Sequence, residues 1–251
     1  MLVDSTTIYS IPGFADPVSS LSHLIGAGVF AVLAFSLLRR AYGHPVHVAV
    51  LSVFAFGSVF LLSMSGVYHL LPYDWTGRMV MQRLDHAAIF VLIAASFTPP
   101  HGILFRGFQA WAPVVFIWLL AITGITLKTI FFTSLPEWIG VIIYLGFGWI
   151  GVFSGVALWR RFGFRFILPL LAGALAYTVG AILHMAHWPV VVPGIIGAHE
   201  LFHVAVLIGV GCHWYFMTQI AGWQDTPADG DAGPYIPAER LPELAAARQE
   251  A

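Results

Sequence analysis

Ala198–Ile220 reads AHELFHVAVLIGVGCHWYFMTQI. A helix needs about 20 predominantly apolar residues to cross the hydrocarbon core of a bilayer, and this run has that length. Its first two turns carry His199 and His203, which differ by four positions. In a helix that spacing stacks two side chains on one face. Two imidazoles so placed can share one metal ion, and zinc is the usual occupant. The stretch therefore poses two questions. One is how many such spans the chain contains. The other is what meets these histidines at their depth in the membrane.

The composition answers the first. Of 251 residues, 59% are hydrophobic and only 9% are charged, where a soluble domain carries about 25% charged residues. A chain this apolar belongs in a bilayer. Apolar runs of spanning length cover roughly 21–40, 47–71, 81–99, 111–130, 138–159, 166–186 and 198–220. The expected fold is an all-α, seven-helix transmembrane bundle. The connections carry helix breakers: Gly43-His44-Pro45, Pro72-Tyr73-Asp74, Pro99-Pro100, Leu135-Pro136, Arg160 to Gly163, and Val192-Pro193-Gly194. Residues 1–20 read as a short N-terminal tail, 21–223 as the membrane domain, and 224–251 as a disordered polar tail rich in Asp, Glu, Pro and Ala. The formal net charge of -1, with no basic stripe, argues against a nucleic-acid partner. Cys212 is the single cysteine, which excludes an internal disulfide.

Alternating spans give the chain two sides. One collects Arg78, Arg83 and Lys128. The other collects Arg39, Arg40, Arg106, Arg160, Arg161, Arg165, Arg240 and Arg248. Positive residues favour the cytoplasm, so the N terminus is expected outside and the C terminus inside. The same alternation puts His69, Asp85, His199 and His203 at similar depth on the non-cytoplasmic side.

His69, His199 and His203 would supply three nitrogens to a metal, leaving a further position open as in catalytic zinc sites. Zinc lowers the pKa of water towards ~7, and Asp85 is the leading candidate to take its proton. Ionisable groups within membrane helices are functional candidates by default. Ser65 shares the His69 face and could orient water or a carbonyl. Glu200 completes an H-E-x-x-H pattern, in which the Glu would be the base of a zinc protease. Plainer readings stand beside these. The histidines could be a buried hydrogen-bonded pair, Asp85 a helix N-terminal acid or a partner of Arg83, and Ser65 a small packing residue. His184 and His187 could line the rim, and His23 and His86 could support the site. His213 lies too deep to join, and His44, His47 and His101 read as solvated on the opposite side.

Four stretches carry a resemblance: Ser65-Gly66-Val67-Tyr68-His69, Arg83 to Phe90, Tyr177 to Ala181, and His199 to His203 with the Val-Leu-Ile-Gly run after it. Across the membrane region the chain resembles the hemolysin III branch of the progestin and adipoQ receptor (PAQR) family, related to adiponectin receptors and alkaline ceramidases. The resemblance implies seven helices, Zn2+ on His69, His199 and His203, and an Asp, here Asp85, that holds water at the metal. It implies a multi-pass protein of a bacterial inner membrane with a fatty-acyl or sphingolipid-like lipid as ligand. The favoured activity is zinc-dependent hydrolysis of a lipid amide or ester, with Asp85, Ser65 and Glu200 as catalytic candidates. The alternatives are a non-catalytic sensor of membrane homeostasis with structural zinc, an intramembrane zinc protease, and a lytic protein.

Overall fold

The computed structural model describes residues 8–134 and 136–224. Leu135 and the expected polar tail from residue 225 onward lie outside the described residues. The apolar runs fold into α1 (Pro17–Arg40), α2 (Pro45–Leu70), α3 (Thr76–Leu104), α4 (Phe108–Ile130), α5 (Glu137–Trp149), α6 (Gly151–Phe162), α7 (Phe164–Ala186) and α8 (Ala198–Ile220). Helices α5 and α6 together form one span, Trp138–Phe162, so seven spans have the length and composition to cross a membrane. The chain is a multi-pass integral membrane protein.

The helix starts follow from local chemistry. Pro17 and Pro45 open α1 and α2, where the missing N–H would have had no helical partner in any case. Gly163 alone joins α6 to α7, with φ at 85°, a backbone conformation that side chains disfavour. Arg39 and Arg40 close α1, where the helix dipole favours positive charge.

Helix α3 departs from the sequence expectation at both ends. It begins at Thr76 rather than near residue 81, and it runs to Leu104, so the Pro99-Pro100 pair lies inside it, buried, and is not a connection. A bilayer has no water to hydrate a broken turn, so ending a helix there would strand backbone groups, whereas prolines within a membrane helix are tolerated. The hydroxyls of Ser96 and Thr98 bond back to the carbonyls of Leu92 (2.8 Å) and Ala94 (3.0 Å), and Trp118 Nε1 donates to Thr98 from α4 (3.1 Å). Helix α1 likewise starts at Pro17, within the stretch read as tail.

Helices α2, α3 and α8 are the most enclosed spans. Helix α8 packs against α1, α3 and α7, while α4 contacts α3. The outward faces are apolar: Val32, Phe35 and Phe153 are each more than 70% exposed, as suits lipid as the solvent. Trp75, Trp111, Trp138, Trp159 and Trp188 are all exposed near span ends, in keeping with an aromatic belt.

Gly66 sets the contact between α1 and α2. A Cβ there would sit 2.7 Å from Leu24 Cγ and 3.1 Å from the Leu24 backbone nitrogen. The same close approach lets Ser20 Oγ donate to the Gly66 carbonyl at 2.8 Å. Gly66→Val should therefore force α1 away and cost about 1–3 kcal/mol, the usual range for overpacking. The expected outcome is a clear drop in the melting temperature of the detergent-purified protein; an unchanged value would refute this packing account.

Candidate metal centre

The last turn of α2 presents His69, and the first turns of α8 present His199 and His203. The two α8 residues share a face because they are one helical turn apart. Their Nε2 atoms lie 3.1 Å from each other, and His199 Nε2 lies 3.2 Å from His69 Nε2. One ligand atom from each of the three residues falls within 4.8 Å of the others. Tetrahedral zinc with bonds of ~2.05 Å separates its nitrogen ligands by ~3.3 Å, so the spacing fits a shared ion. His69 and His203 are 4% and 2% exposed. Among the described residues this is the cluster of metal-ligating side chains that can hold a metal ion.

A carboxylate absent from the sequence reading stands behind His69. Asp16 Oδ2 accepts from His69 Nδ1 at 2.8 Å and from Arg78 Nη2 at 2.7 Å, and Oδ1 accepts a short hydrogen bond from Tyr73. Burial pushes the Asp16 carboxyl up, but hydrogen bonds from His69, Tyr73 and Arg78 outweigh burial and hold it well below the ordinary carboxylate range. Burial and the Asp16 carboxylate push the Tyr73 hydroxyl up to about 12. The sequence did carry a signal. An Asp just before Pro17 marks a helix start, at the membrane end where His69 lies. As the N-cap of α1, however, Asp16 makes no capping hydrogen bond with its side chain.

Asp85 and Ser65 sit at the same depth. Helix α3 starts nine residues before Asp85, roughly 14 Å along the axis, so Asp85 is not a helix N-terminal acid. It is not paired with Arg83 either: Arg83 bonds the Met79 carbonyl (3.2 Å) and lies over the Phe132 ring. The Asp85 carboxyl lies 3.6 Å from His86 Nδ1 and interacts with buried Ser65. Asp85, His199 and His203 all line one cavity of about 360 Å³.

Glu200 is turned to other work. Its Oε1 accepts from Ser19 Oγ and its Oε2 from the Gly197 backbone N–H, both at 2.9 Å. These bonds tie the start of α8 to α1 and satisfy the free Gly197 N–H at its N-terminus. A carboxylate engaged in this way is a cap and a helix-to-helix tie, a geometry that speaks against the base role suggested by H-E-x-x-H.

The other histidines divide by position. His23 stacks on His203 with ring centroids 4.0 Å apart, and its Nε2 donates to the His203 carbonyl (3.3 Å). His184 lines the cavity, 5.1 Å from His199 between centroids. His213 lies deeper, with Nε2 donating to the Leu170 carbonyl (3.3 Å). His101 is buried rather than solvated: Nδ1 donates to the Gln109 carbonyl (2.7 Å), and Nε2 accepts from Ser154 Oγ (2.9 Å), linking α3 to α6. His47 likewise donates from Nδ1 to the Ala221 carbonyl (3.1 Å).

Comparisons with known proteins identify the family of the chain. Residues 14–214 match the family described as "Haemolysin-III related". The chain is 32% identical over 169 residues to Hemolysin-3 of Bacillus cereus, covering 66% of this chain and 76% of that protein. It is 28% identical over 204 residues to heptahelical transmembrane protein ADIPOR2 of Oryza sativa subsp. japonica, covering 74% and 88%. It is 27% identical over 224 residues to progestin and adipoQ receptor-like protein 1 of Caenorhabditis elegans, covering 80% and 50%. With its seven spans and a histidine cluster drawn from α2 and α8, the chain belongs to the haemolysin-III-related family, the hemolysin III branch of the progestin and adipoQ receptors.

Proposed function

We propose that this protein is a zinc-dependent hydrolase of lipid amide or ester bonds, working within a bacterial inner membrane. The observation that carries the reading is a shared wall. His199, His203 and Asp85 line a cavity whose neighbouring surface includes Leu92, Ile93, Leu145 and Val206. A lipid carbonyl can reach the histidines there without leaving apolar surroundings. The volume lies within the range of small-molecule sites. Three imidazoles also match the ligand number of catalytic rather than structural zinc sites.

Zinc bound there supplies Lewis acidity and activates water near neutral pH. The chain's own residues do the rest. The apolar wall holds the acyl chain and excludes bulk water. Asp85 accepts the proton of the attacking water and returns it to the departing amine or alcohol, so that water adds across the broken acyl bond. Ser65, against Asp85, orients that carboxyl. Glu200 stays outside the chemistry, which disfavours a protease of the H-E-x-x-H type.

We place the metal end on the non-cytoplasmic side. Arg78, one of the cations on that side, is 7% exposed and paired with Asp16, so it weighs little in the charge bias that orients membrane proteins. The opposite end carries Arg39, Arg40, Arg106, Arg160, Arg161 and Arg165. A C-terminal reporter fusion active only in the cytoplasm should give signal; signal only from a periplasmic reporter would reverse the assignment.

Elemental analysis of the purified protein should find about one zinc per chain, and His69→Ala should lose it. Asp85→Ala should keep zinc while turnover of a lipid amide or ester, followed by mass spectrometry, falls by about 10²–10⁴-fold, the usual worth of a general base. Zinc retained with no turnover of any acyl lipid tested would make the metal structural and the protein a non-catalytic regulator. Glu200→Gln should cost about 1.5–3 kcal/mol of stability, the usual worth of a hydrogen bond to a charged group, seen as a lower melting temperature with zinc retained. Loss of that turnover at full stability and with zinc retained would restore Glu200 as a catalytic base.

A further inference from the structure

We propose that Asp16 is the positioning residue of the metal centre: from the N-terminal segment it holds His69 in the tautomer and orientation that turn Nε2 towards His199 and His203. The proposal rests on the metal reading above and extends it to a residue outside the three ligands.

His199 and His203 are aligned by their common helix. His69 comes alone from α2, so something outside that helix must fix its ring. The Asp16 carboxylate does so at 2.8 Å from Nδ1. An ionised carboxylate can only accept, so the His69 Nδ1 must carry a proton, and in the neutral ring that a metal needs Nε2 then holds the lone pair. Partner carboxylates of this kind fix the tautomer of metal-bound histidines and raise their basicity.

Asp16 is itself held from several directions. Arg78 Nη2 donates to it at 2.7 Å, and the guanidinium lies over the rings of Tyr68 and Tyr73, 4.6 and 4.2 Å from their centroids. Tyr73 donates to the other carboxylate oxygen. The backbone joins in: Asp16 N donates to the His69 carbonyl at 2.9 Å, and Ala15 N donates to that of Leu70 at 3.3 Å. Further out, Tyr9 N donates to the Gly194 carbonyl at 2.8 Å, in the connection before α8. The segment from Tyr9 to Asp16 thus runs across the ends of the helices that carry the ligands and delivers one carboxylate behind one of them. Asp85 faces the cavity, whereas Asp16 stands behind His69. The two acids serve the same centre from different sides.

The test uses the full-length protein in detergent, with Asp16→Ala and Asp16→Asn. Zinc affinity is read by competition with a chelator, and the ligand field by the absorption of the cobalt-loaded protein. Asp16→Ala should weaken zinc by about 10–100-fold, the usual effect of losing such a partner, and perturb the cobalt spectrum. Asp16→Asn, which keeps an acceptor oxygen but no charge, should fall between Ala and wild type. If Asp16→Ala fails to fold, Asp16→Asn carries the comparison. Zinc affinity within about threefold of wild type, with both variants merely less heat-stable in the loaded and metal-free forms alike, would reduce Asp16 to a structural tie and overturn the proposal. Nitrogen-15 NMR of labelled histidines in metal-free protein reads the tautomer directly. His69 should be Nδ1-protonated in the wild type and lose that preference in Asp16→Ala; an Nε2-protonated His69 in the wild type would overturn the proposal whatever the metal result. Should the wild type bind no zinc while His69 is Nδ1-protonated, the hydrolase reading falls and the hold of Asp16 on His69 stands.

Discussion

Imidazole nitrogens face one another at 3.1 and 3.2 Å near one end of this bundle. Bulk water has little access to them, since His69 and His203 are almost fully enclosed. Lone pairs that close repel unless a proton or a cation lies between them. The structure accepts this arrangement and builds around it. The start of α1, the end of α2, the start of α3 and the start of α8 all meet at this depth, each bringing at least one polar side chain. Elsewhere the spans are joined mainly by apolar packing, with isolated polar ties such as that of His101 to Ser154.

Three acids at this end show how surroundings assign work to one functional group. Asp16 is surrounded by donors and remains a fixed anion behind His69. Glu200 has one oxygen on a hydroxyl and the other on a backbone N–H, so it ties two helices together. Asp85 borders the cavity, where Ser65 and His86 approach its carboxyl. Asp16 and Glu200 do not line that cavity. Near-identical side chains at similar depth are therefore not interchangeable, and one pattern of five residues cannot tell them apart.

That difference explains what the sequence disclosed. Seven spans were legible because length and hydropathy alone decide them in a membrane. The histidine cluster was legible because alternation of spans fixes depth and helical periodicity fixes the shared face. Asp16 was not, because it sits beside Pro17 in a segment that reads as a tail, and its partners are 53 and 62 positions away. The ties of Glu200 were not legible either, because H-E-x-x-H records spacing but not what the glutamate touches. Pro99-Pro100 was misread because the rule that proline ends helices holds for water, where freed carbonyls are hydrated, and weakens in lipid. His101 looked solvated by its place near a span end, yet long-range packing against Ser154 buried it.

The cavity itself follows from residue size. Facing small residues normally draw membrane helices together, and Gly140 and Gly148 on α5 and Ala174 and Ala181 on α7 are such residues. Here α5 and α7 leave room instead: a Cβ placed on Gly148 would meet nothing within 4 Å. Tyr144 and Trp149 on α5 and Phe97 on α3 also line the space. Trp149 Nε1 donates to Thr178 on α7 at 3.0 Å, which holds the two spans at a set distance. Small and aromatic residues together line the volume. The result is a hollow bordered by hydrocarbon on one side and by imidazole and carboxyl groups on the other.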